Sequence, residues 1–541
     1  MFLLSLPASL LLAQVAVASL RPIPVAPPIK DVASLPINES AFFDQLLDHK
    51  NPELGTFPQR YWWNSQWWKG PGSPIIVFQP GEFHAEFYLG YLTNQTVSGL
   101  YAQEFGGAVI VLEHRYYGES SPFKNLTTKT LQHLTIENAI QDAIYFAKNV
   151  KLPFDPTGGS NADASPWIMV GGSYGGALAG WTAATSPGTY WAYHASSAPV
   201  EAIWDYWQYF VPIQEGMPKN CSKDLARLVE HVDRILASGD EKTKQQLKDK
   251  FQVGSLQDDD FAEVLAAGQY LWQASNWTHF DEFYTFCDYI ENVQGNPPSY
   301  PEPDGVGAER ALEGYAAWWN EIFFPGCESI LQTIVPKTDK FIADVQFVGY
   351  DDTDPLSTRC LESYDPNNPK FADTSVRNVA NRQWNWILCN EPFASWQDGA
   401  PKGTPSIVSR LVTADYWHRQ CALYFPEEEG YTYGSAPPDG KRTDALNEWT
   451  HGWFGETKRL LWVQGQYDPW ITESVSSPFR PCGPKQSTPE APVYILPNAS
   501  HCFDLNLRNA RLDEGVQDAI DKALAQMKVW LDEWYAQVDR E

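Results

Sequence analysis

Short runs of apolar residues recur near both ends of the chain and alternate with segments whose apolar residues are spaced as in a helix. The runs lie at 73–78, 107–112, 167–170, 459–463 and 493–496, and an aromatic, alternating stretch lies at 59–68. Residues 136–150 carry apolar side chains at helical spacing. Buried strands of a parallel sheet are continuous apolar runs, and the helices between them cover both faces. The pattern predicts a mostly parallel sheet flanked by helices.

The pattern changes between residues 201 and 456. Residues 223–251 form a long, charged, amphipathic helical pattern, and the whole region is rich in Trp, Asp and Pro without the strand–helix alternation. We interpret it as an inserted, mainly helical cap domain. The predicted divisions are a signal peptide at 1–18, a linker or pro-segment at 19–41, the first part of the core at 42–200, the cap at 201–456, and the second part of the core at 457–541.

Composition excludes two classes of protein. The 541 residues carry a formal net charge of -28, so the chain lacks the basic surface that binds nucleic acid. Aromatic residues make up 14% of the chain, whereas disordered acidic chains are poor in them. A folded protein with a large core is therefore expected.

The first 18 residues predict export from the cytosol. They contain no charged side chain and end in Ala16-Val17-Ala18, a cleavage pattern of signal peptides. A membrane anchor is the less favoured alternative, because Pro7 and Gln14 interrupt the apolar run. We expect no membrane segment in the mature protein, and a secreted, vacuolar or lysosomal location.

Cysteines and glycosylation motifs agree with an oxidising compartment. The chain has eight cysteines, and none forms a CxxC motif, so disulfides are expected. The pair we favour is Cys360–Cys389, with Cys482–Cys502 as a second assignment. N-glycosylation motifs occur at Asn38, Asn94, Asn125, Asn220, Asn276 and Asn498.

The most informative stretch is 171–176, Gly-Gly-Ser-Tyr-Gly-Gly. It follows the apolar run at 167–170 and precedes a helix-like segment at 177–185. This is the strand–turn–helix context of the nucleophile elbow, in which small neighbours allow a sharp turn that exposes the serine hydroxyl. The stretch predicts Ser173 as a nucleophile in an α/β-hydrolase core interrupted by a helical cap. The alternative is an ordinary glycine-rich turn.

A serine nucleophile needs a base and a residue that orients the base, and α/β-hydrolases place an acid and then a histidine after the serine. Asp468 follows the run at 459–463, and His501 follows the run at 493–496. Each has a plainer alternative, since Asp468-Pro469 favours a turn and His501 suits a packed side chain. For the oxyanion hole we expect the N–H of Tyr174 and a donor from the loop at Gly81 and Glu82.

Other chemistries find no support in the sequence. It contains no HExxH motif, P-loop, EF-hand or dinucleotide-binding glycine motif in the right context. We therefore expect neither a metal nor a cofactor.

Several motifs together resemble a known peptidase family. They are 113–118 (EHRYYG), 171–176 (GGSYGG), 465–470 (GQYDPW) and 500–505 (SHCFDL). The chain resembles the lysosomal Pro-Xaa carboxypeptidase and dipeptidyl-peptidase II family of serine peptidases. Segments at 43–55, 60–63, 192–210 and 431–435 resemble most its secreted fungal branch, the acid prolyl endopeptidases.

The resemblance implies cleavage of peptides on the carboxyl side of proline, at acid pH, with Ser173, Asp468 and His501 as the triad. It also implies that Trp470, Glu391 and Phe393 contribute to a proline pocket, although ordinary packing explains such aromatics equally well. The loop at 80–83 (PGEF) departs from the glycine-rich form usual in the family, which leaves the role of Glu82 open. Three alternatives remain: an exopeptidase of the same family, an esterase or lipase, and a catalytically inactive binding protein.

Overall fold

The computed structural model describes residues 39–275, 282–294, 300–324, 327, 357–378, 380–538 and 540. The predicted signal peptide and the glycosylation motifs at Asn38 and Asn276 lie outside the described residues. Among the residues that are described, no helix has the length and apolar character needed to cross a bilayer.

The apolar runs form strands, as the sequence predicts. The strands are β1 (Ser40–Leu46), β2 (Thr56–Asn64), β3 (Ile75–Gln79), β4 (Ala108–Leu112), β5 (Trp167–Gly172), β6 (Ala192–Ser196), β7 (Ile203–Asp205), β8 (Ala394–Trp396), β9 (Leu460–Gly465) and β10 (Val493–Leu496). Eight of them form one sheet in the order β1-β2-β4-β3-β5-β6-β9-β10. Strand β2 is antiparallel to both of its neighbours, and neighbours from β4 to β10 are parallel.

Helices connect the strands and extend the chain between β6 and β9. They are α1 (Val97–Phe105), α2 (Ile136–Asn149), α3 (Tyr174–Thr185), α4 (Phe210–Gly216), α5 (Lys219–Leu236), α6 (Glu241–Lys250), α7 (Asp258–Val264), α8 (Ala267–Tyr270), α9 (Glu282–Ile290), α10 (Ala308–Trp318), α11 (Pro369–Ala372), α12 (Arg382–Asn390), α13 (Ala414–His418), α14 (Cys421–Tyr424), α15 (Thr443–Thr450), α16 (Leu507–Ala510) and α17 (Glu514–Val538).

Helices cover both faces of the sheet. Phe146 of α2 packs edge-on against Trp167 of β5, with ring centroids 6.1 Å apart. The next residue, Ile168, lies in an apolar cluster with Tyr101 of α1 and Met527 of α17. Successive residues of a strand point to opposite faces, so α2 lies on one face and α1 and α17 on the other. A mostly parallel sheet covered in this way, with a strand–serine–helix turn after β5, is the predicted α/β-hydrolase core.

The described residues divide into two compact units. The sheet unit takes its residues from 39–203, 383–394 and 427–541, and the helical unit takes its residues from 204–382 and 395–426. In the helical unit, a disulfide joins Cys221 of α5 to Cys287 of α9. Phe286 packs against Tyr315 and Trp318 of α10, with ring centroids 5.0 and 4.7 Å apart.

The observed cysteine bonds correct the predicted ones. Cys360 bonds to Cys327, whose Cα atom lies 5.8 Å away, and not to Cys389, which is itself disulfide-bonded. Cys482 and Cys502 are free, the first exposed and the second buried. Both predicted pairs are wrong because spacing along the sequence says nothing about the Cα distance of about 4.4–6.8 Å that a disulfide requires.

Two further details differ from the sequence pattern. The helical pattern at 223–251 is two helices, α5 and α6, which are separated by a turn. Gly239 in that turn has a φ of +74°, and Asp240 caps α6 by accepting hydrogen bonds from the N–H groups of Lys242 and Thr243. The sequence pattern also missed β1 and β6.

Candidate active site

Ser173 occupies the sharp turn between β5 and α3. Its φ of +60° and ψ of -127° are rare for a residue with a side chain, and such strain persists only where the surroundings enforce it. Its N–H donates to the carbonyl of Ser196, 2.8 Å away, and its own carbonyl accepts from the N–H of Ala177 at 2.8 Å. The hydroxyl is thus placed at the N-terminus of α3.

Glycine is required at the start of α3. A side chain at Gly175 would collide with the carbonyl oxygen of Gln79 at the end of β3. The close approach of the two backbones brings the turn after β3 against the first turn of α3. The small residues that the sequence places around Ser173 therefore serve packing.

Three residues predicted from separate motifs lie in one hydrogen-bonded row. His501 Nε2 lies 2.8 Å from Ser173 Oγ, and His501 Nδ1 lies 2.9 Å from Asp468 Oδ1. All three side chains are buried in the sheet unit. Asp468 follows β9 and His501 follows β10. Because these strands are parallel to β5, both residues lie at the carboxyl ends of the strands, where Ser173 follows β5. With Nδ1–H donating to the carboxylate, Nε2 is an acceptor for the serine proton.

The carboxylate of Asp468 has a donor on each oxygen. Gln464 Nε2 donates to Oδ2 at 2.6 Å, and the N–H of Trp470 donates to Oδ1 at 3.0 Å. These bonds fix the carboxylate toward His501. Gln464 was missed by the sequence analysis, although it is the one amide side chain in the apolar strand β9 and its polarity was a usable signal.

The surroundings of His501 favour its protonated form. Burial by itself lowers the pKa of His501, but the negative charge of Asp468 and the hydrogen bond to it outweigh burial, so the pKa is raised well above the ordinary 6.5. In the resting site, imidazolium therefore persists to a higher pH than in an ordinary histidine, and the neutral imidazole that can accept a proton dominates only above the raised pKa.

The predicted oxyanion residues surround the same turn. The N–H of Tyr174 belongs to the first turn of α3, where backbone N–H groups have no acceptor within the helix. Gly81 has a φ of +78°, and a Cβ there would lie only 3.2 Å from the nitrogen of Gly175. Burial raises the pKa of the neighbouring Glu82 carboxyl well above its ordinary value, with the charge of His501 opposing the shift.

The residues expected to bind substrate are placed differently from one another. Trp470 is buried next to Asp468 in the turn after β9. Phe393 is fully buried and packs against Trp384, 5.6 Å between ring centroids, which in turn packs against Tyr174 at 5.1 Å. Phe393 is thus linked to the residue after Ser173 through Trp384, which the sequence analysis did not single out.

Glu391 has a different set of contacts. Its Oε1 accepts from Asn390 Nδ2 at 2.8 Å, and its carboxylate accepts from the N–H of Ile136 at the start of α2. Burial raises its pKa above the ordinary value, with the charge of Lys441 opposing the shift. Glu391 thus accepts the first N–H of α2, next to the N-cap residue Thr135, a contact that its sequence context did not reveal.

Four of the glycosylation motifs lie in the described chain. Asn94, Asn125 and Asn498 are exposed. Asn220 is half-buried, and its Nδ2 donates to Glu291 Oε2 at 3.0 Å. The folded structure therefore leaves room for a glycan more readily at the first three positions.

The chain is similar to known serine peptidases. A family model described as "Serine carboxypeptidase S28" matches residues 45–283. The chain is similar to the serine protease vicPa of Bipolaris victoriae (strain FI3), with 41% identity over 499 residues that cover 90% of this chain and 88% of the relative.

Two further relatives are more distant. A probable extracellular serine carboxypeptidase of Arthroderma benhamiae is 29% identical over 471 residues, which cover 83% of this chain and 60% of the relative. The lysosomal Pro-X carboxypeptidase of Pongo abelii is 30% identical over 214 residues, which cover 37% of this chain and 40% of the relative.

Proposed function

Because the chain belongs to the serine carboxypeptidase S28 family, we propose that it hydrolyses peptide bonds on the carboxyl side of proline, with Ser173, His501 and Asp468 as its catalytic residues. The observation that carries the proposal is the buried row in which His501 joins Ser173 to Asp468 at 2.8 and 2.9 Å. The serine-type peptidase class comes from the family, and the preference for proline is inferred.

The proposed reaction is acyl transfer. Ser173 Oγ attacks the carbonyl carbon of the prolyl residue while His501 Nε2 takes the hydroxyl proton. The N–H of Tyr174 and a donor from the loop at Gly81 and Glu82 stabilise the tetrahedral oxyanion. His501 then gives its proton to the leaving amine, and water hydrolyses the acyl-enzyme by the reverse sequence. Asp468 holds the imidazole in the tautomer that these steps need.

Aromatic side chains near the nucleophile suit a proline ring. The pyrrolidine ring is compact and apolar and has no N–H to satisfy, so aromatic walls can enclose it without leaving a polar group unpaired. Trp384 and Phe393 form such a group beside Tyr174, and Trp470 lies next to Asp468. We assign the proline pocket to these aromatic side chains.

The resemblance also implied action at acid pH, and the electrostatics oppose it in the resting site. A raised pKa leaves little neutral imidazole below pH 6.5, and only the neutral form can accept the serine proton. Acid activity therefore requires that bound substrate lower the pKa of His501. The pH profile distinguishes an enzyme that loses activity at acid pH from one in which bound substrate lowers the pKa of His501.

A second candidate is exopeptidase action, which the names of the relatives favour. One relative is named an extracellular serine carboxypeptidase and another a lysosomal Pro-X carboxypeptidase. These names also support a secreted or lysosomal location for this chain, with proline-containing peptides as its partners.

The test is mass spectrometry of a peptide that is blocked at both ends and contains one internal proline, digested at pH 4 and pH 7. A matched peptide with alanine in place of proline is the control for specificity, and Ser173→Ala is the control for the enzyme. Cleavage after proline alone, absent in Ser173→Ala, supports the proposal. Cleavage only of the corresponding peptide with free ends would establish exopeptidase action instead. Hydrolysis of a simple ester without cleavage of either peptide would contradict the proposal.

A further inference from the structure

A second buried cluster of polar residues lies in the sheet unit, between β6, α1 and the turn that follows His501. His194 Nε2 lies 2.7 Å from Asp504 Oδ2, and Ser196 Oγ donates to Asp504 Oδ1 at 2.5 Å. On its other side, His194 Nδ1 lies 2.8 Å from the hydroxyl of Tyr101. All four residues are buried, so these bonds form in a medium of low dielectric constant.

One arrangement of protons satisfies every hydrogen bond in the cluster. Burial raises the pKa of Tyr101 well above its ordinary value, so the phenol keeps its proton and can donate it to His194 Nδ1. His194 Nε2–H then donates to Asp504. His194 and Ser196 are two residues apart on β6 and therefore point to the same face of the sheet, where both reach one carboxylate.

The same strand end also contacts the turn around Ser173. The carbonyl of Ser196 accepts from the N–H of Ser173 at 2.8 Å. The next residue, Ser197, accepts from the N–H of Cys502 at 2.8 Å, and Cys502 directly follows His501. The end of β6 therefore touches the segments that carry both the nucleophile and the base.

We propose that Asp504, held by His194 and Ser196, is a positioning residue for His501. Asp504 lies three residues after His501, and its carboxylate fastens the 501–505 segment to the end of β6. This keeps His501 Nε2 within hydrogen-bonding distance of Ser173 Oγ. The inference rests on the proposed function only in taking His501 to be the base that activates Ser173.

The experiment measures how fast a fluorophosphonate modifies Ser173, a step that depends on His501 and not on proline recognition. In that step Ser173 Oγ bonds to phosphorus, fluoride leaves, and His501 takes the serine proton. The variants are His194→Ala, which removes one donor to Asp504, and His194→Gln, whose side-chain amide restores a donor. The control is Tyr190→Phe. Tyr190 lies just before β6, and its hydroxyl makes a buried hydrogen bond to the carbonyl of Ala143 in α2, which the variant removes.

We expect His194→Ala to lower the rate of modification about 10- to 100-fold, since a small displacement of a catalytic group costs about that much. Its kcat on the proline peptide falls in parallel while KM is unchanged. His194→Gln recovers most of the rate, and Tyr190→Phe reacts like the wild type. Ser196→Ala, which removes the other donor, gives a smaller loss and serves in place of His194→Ala if that variant does not fold.

Two results would overturn the inference. The first is an unchanged rate of modification in both His194→Ala and Ser196→Ala. The second is a loss of rate that His194→Gln does not recover and that Tyr190→Phe shows as well, in variants of equal thermal stability. A wild-type protein that does not react at all would instead contradict the proposed function. Reaction without proline cleavage would contradict only the proposed specificity. The failures are therefore distinguishable.

Discussion

The sheet unit holds two buried sets of serine, histidine and aspartate, and the sets differ in the order of their contacts. In the first set the histidine is central, since His501 contacts both Ser173 and Asp468. In the second set the aspartate is central, since Asp504 contacts both His194 and Ser196. The hydroxyl of Ser196 therefore donates to a carboxylate, whereas that of Ser173 faces an imidazole nitrogen.

The backbones differ as well. Ser173 lies in a strained turn at a helix N-terminus, whereas Ser196 is an ordinary residue of β6 paired with Gly172 and Val463. Residue types alone therefore do not make a nucleophile. The order of contacts and the backbone conformation do, and the same three side chains in another order can hold a segment in place.

The largest difference in kcat between the two sets is expected when each serine hydroxyl is removed. Ser173→Ala should lower kcat by about 10⁶-fold, because the nucleophile is lost. Ser196→Ala should lower it about tenfold or less. Peptide hydrolysis measures both rates, and circular dichroism with thermal melting confirms that both variants fold. Equal losses in two folded variants would remove the distinction.

The aspartates should differ in the same direction. Asp468→Asn is expected to lower kcat about 10⁴-fold, since the amide stabilises the wrong imidazole tautomer and carries no charge to balance imidazolium. Asp504→Asn retains partners for both His194 and Ser196, so its loss should be at least about 100-fold smaller. Steady-state kinetics at saturating peptide tests this. A larger loss of kcat in Asp504→Asn than in Asp468→Asn would place the catalytic aspartate in the second set.

The pH profile of kcat/KM should show that His501 titrates above its ordinary value. Because the pKa is raised above 6.5 and only neutral imidazole is active, activity should fall about tenfold for each pH unit below that pKa. The raised pKa of His501 also contributes to the stability of the folded state. This contribution is complete below pH 6.5 and is lost as the pH rises through the folded-state pKa. His501→Gln is the control in unfolding experiments. A kcat/KM that is maximal at pH 4 would contradict the assignment of the resting site.

The smallest effect is expected at the edge of the second set. Tyr101→Phe removes the hydroxyl that donates to His194 and should lower the free energy of unfolding by about 1 kcal/mol, the usual net value of one hydrogen bond. The bonds to Asp504 remain, so kcat should stay close to that of the wild type. Urea denaturation gives the stability. A loss of kcat comparable to that of His194→Ala would show that the tyrosine also positions His501.

The sequence predicted the row of Ser173, His501 and Asp468 because each residue follows an apolar run whose strand is easily recognised. Strand β6 was missed because one of its two buried faces carries His194 and Ser196 in place of apolar residues. Their partners in the second set, Tyr101 and Asp504, lie far away along the chain. Hydrogen bonds of this kind join distant segments through side-chain geometry, which no periodicity records.

Contacts that depend on three-dimensional proximity were the least predictable. The partner of Cys360 was misassigned, and the link from Tyr174 through Trp384 to Phe393 was not foreseen. Gln464 was foreseeable in part, because an amide in a buried strand needs a partner, but the identity of that partner depends on the turn at Asp468.

The most direct test of the central claim is to map the site of covalent modification by a fluorophosphonate through peptide mass spectrometry of the digested protein. The account predicts one adduct per chain, on Ser173, with Ser196 unmodified and no adduct in Ser173→Ala. An adduct on another residue, or an unreactive wild-type protein that is folded at neutral pH, would contradict it.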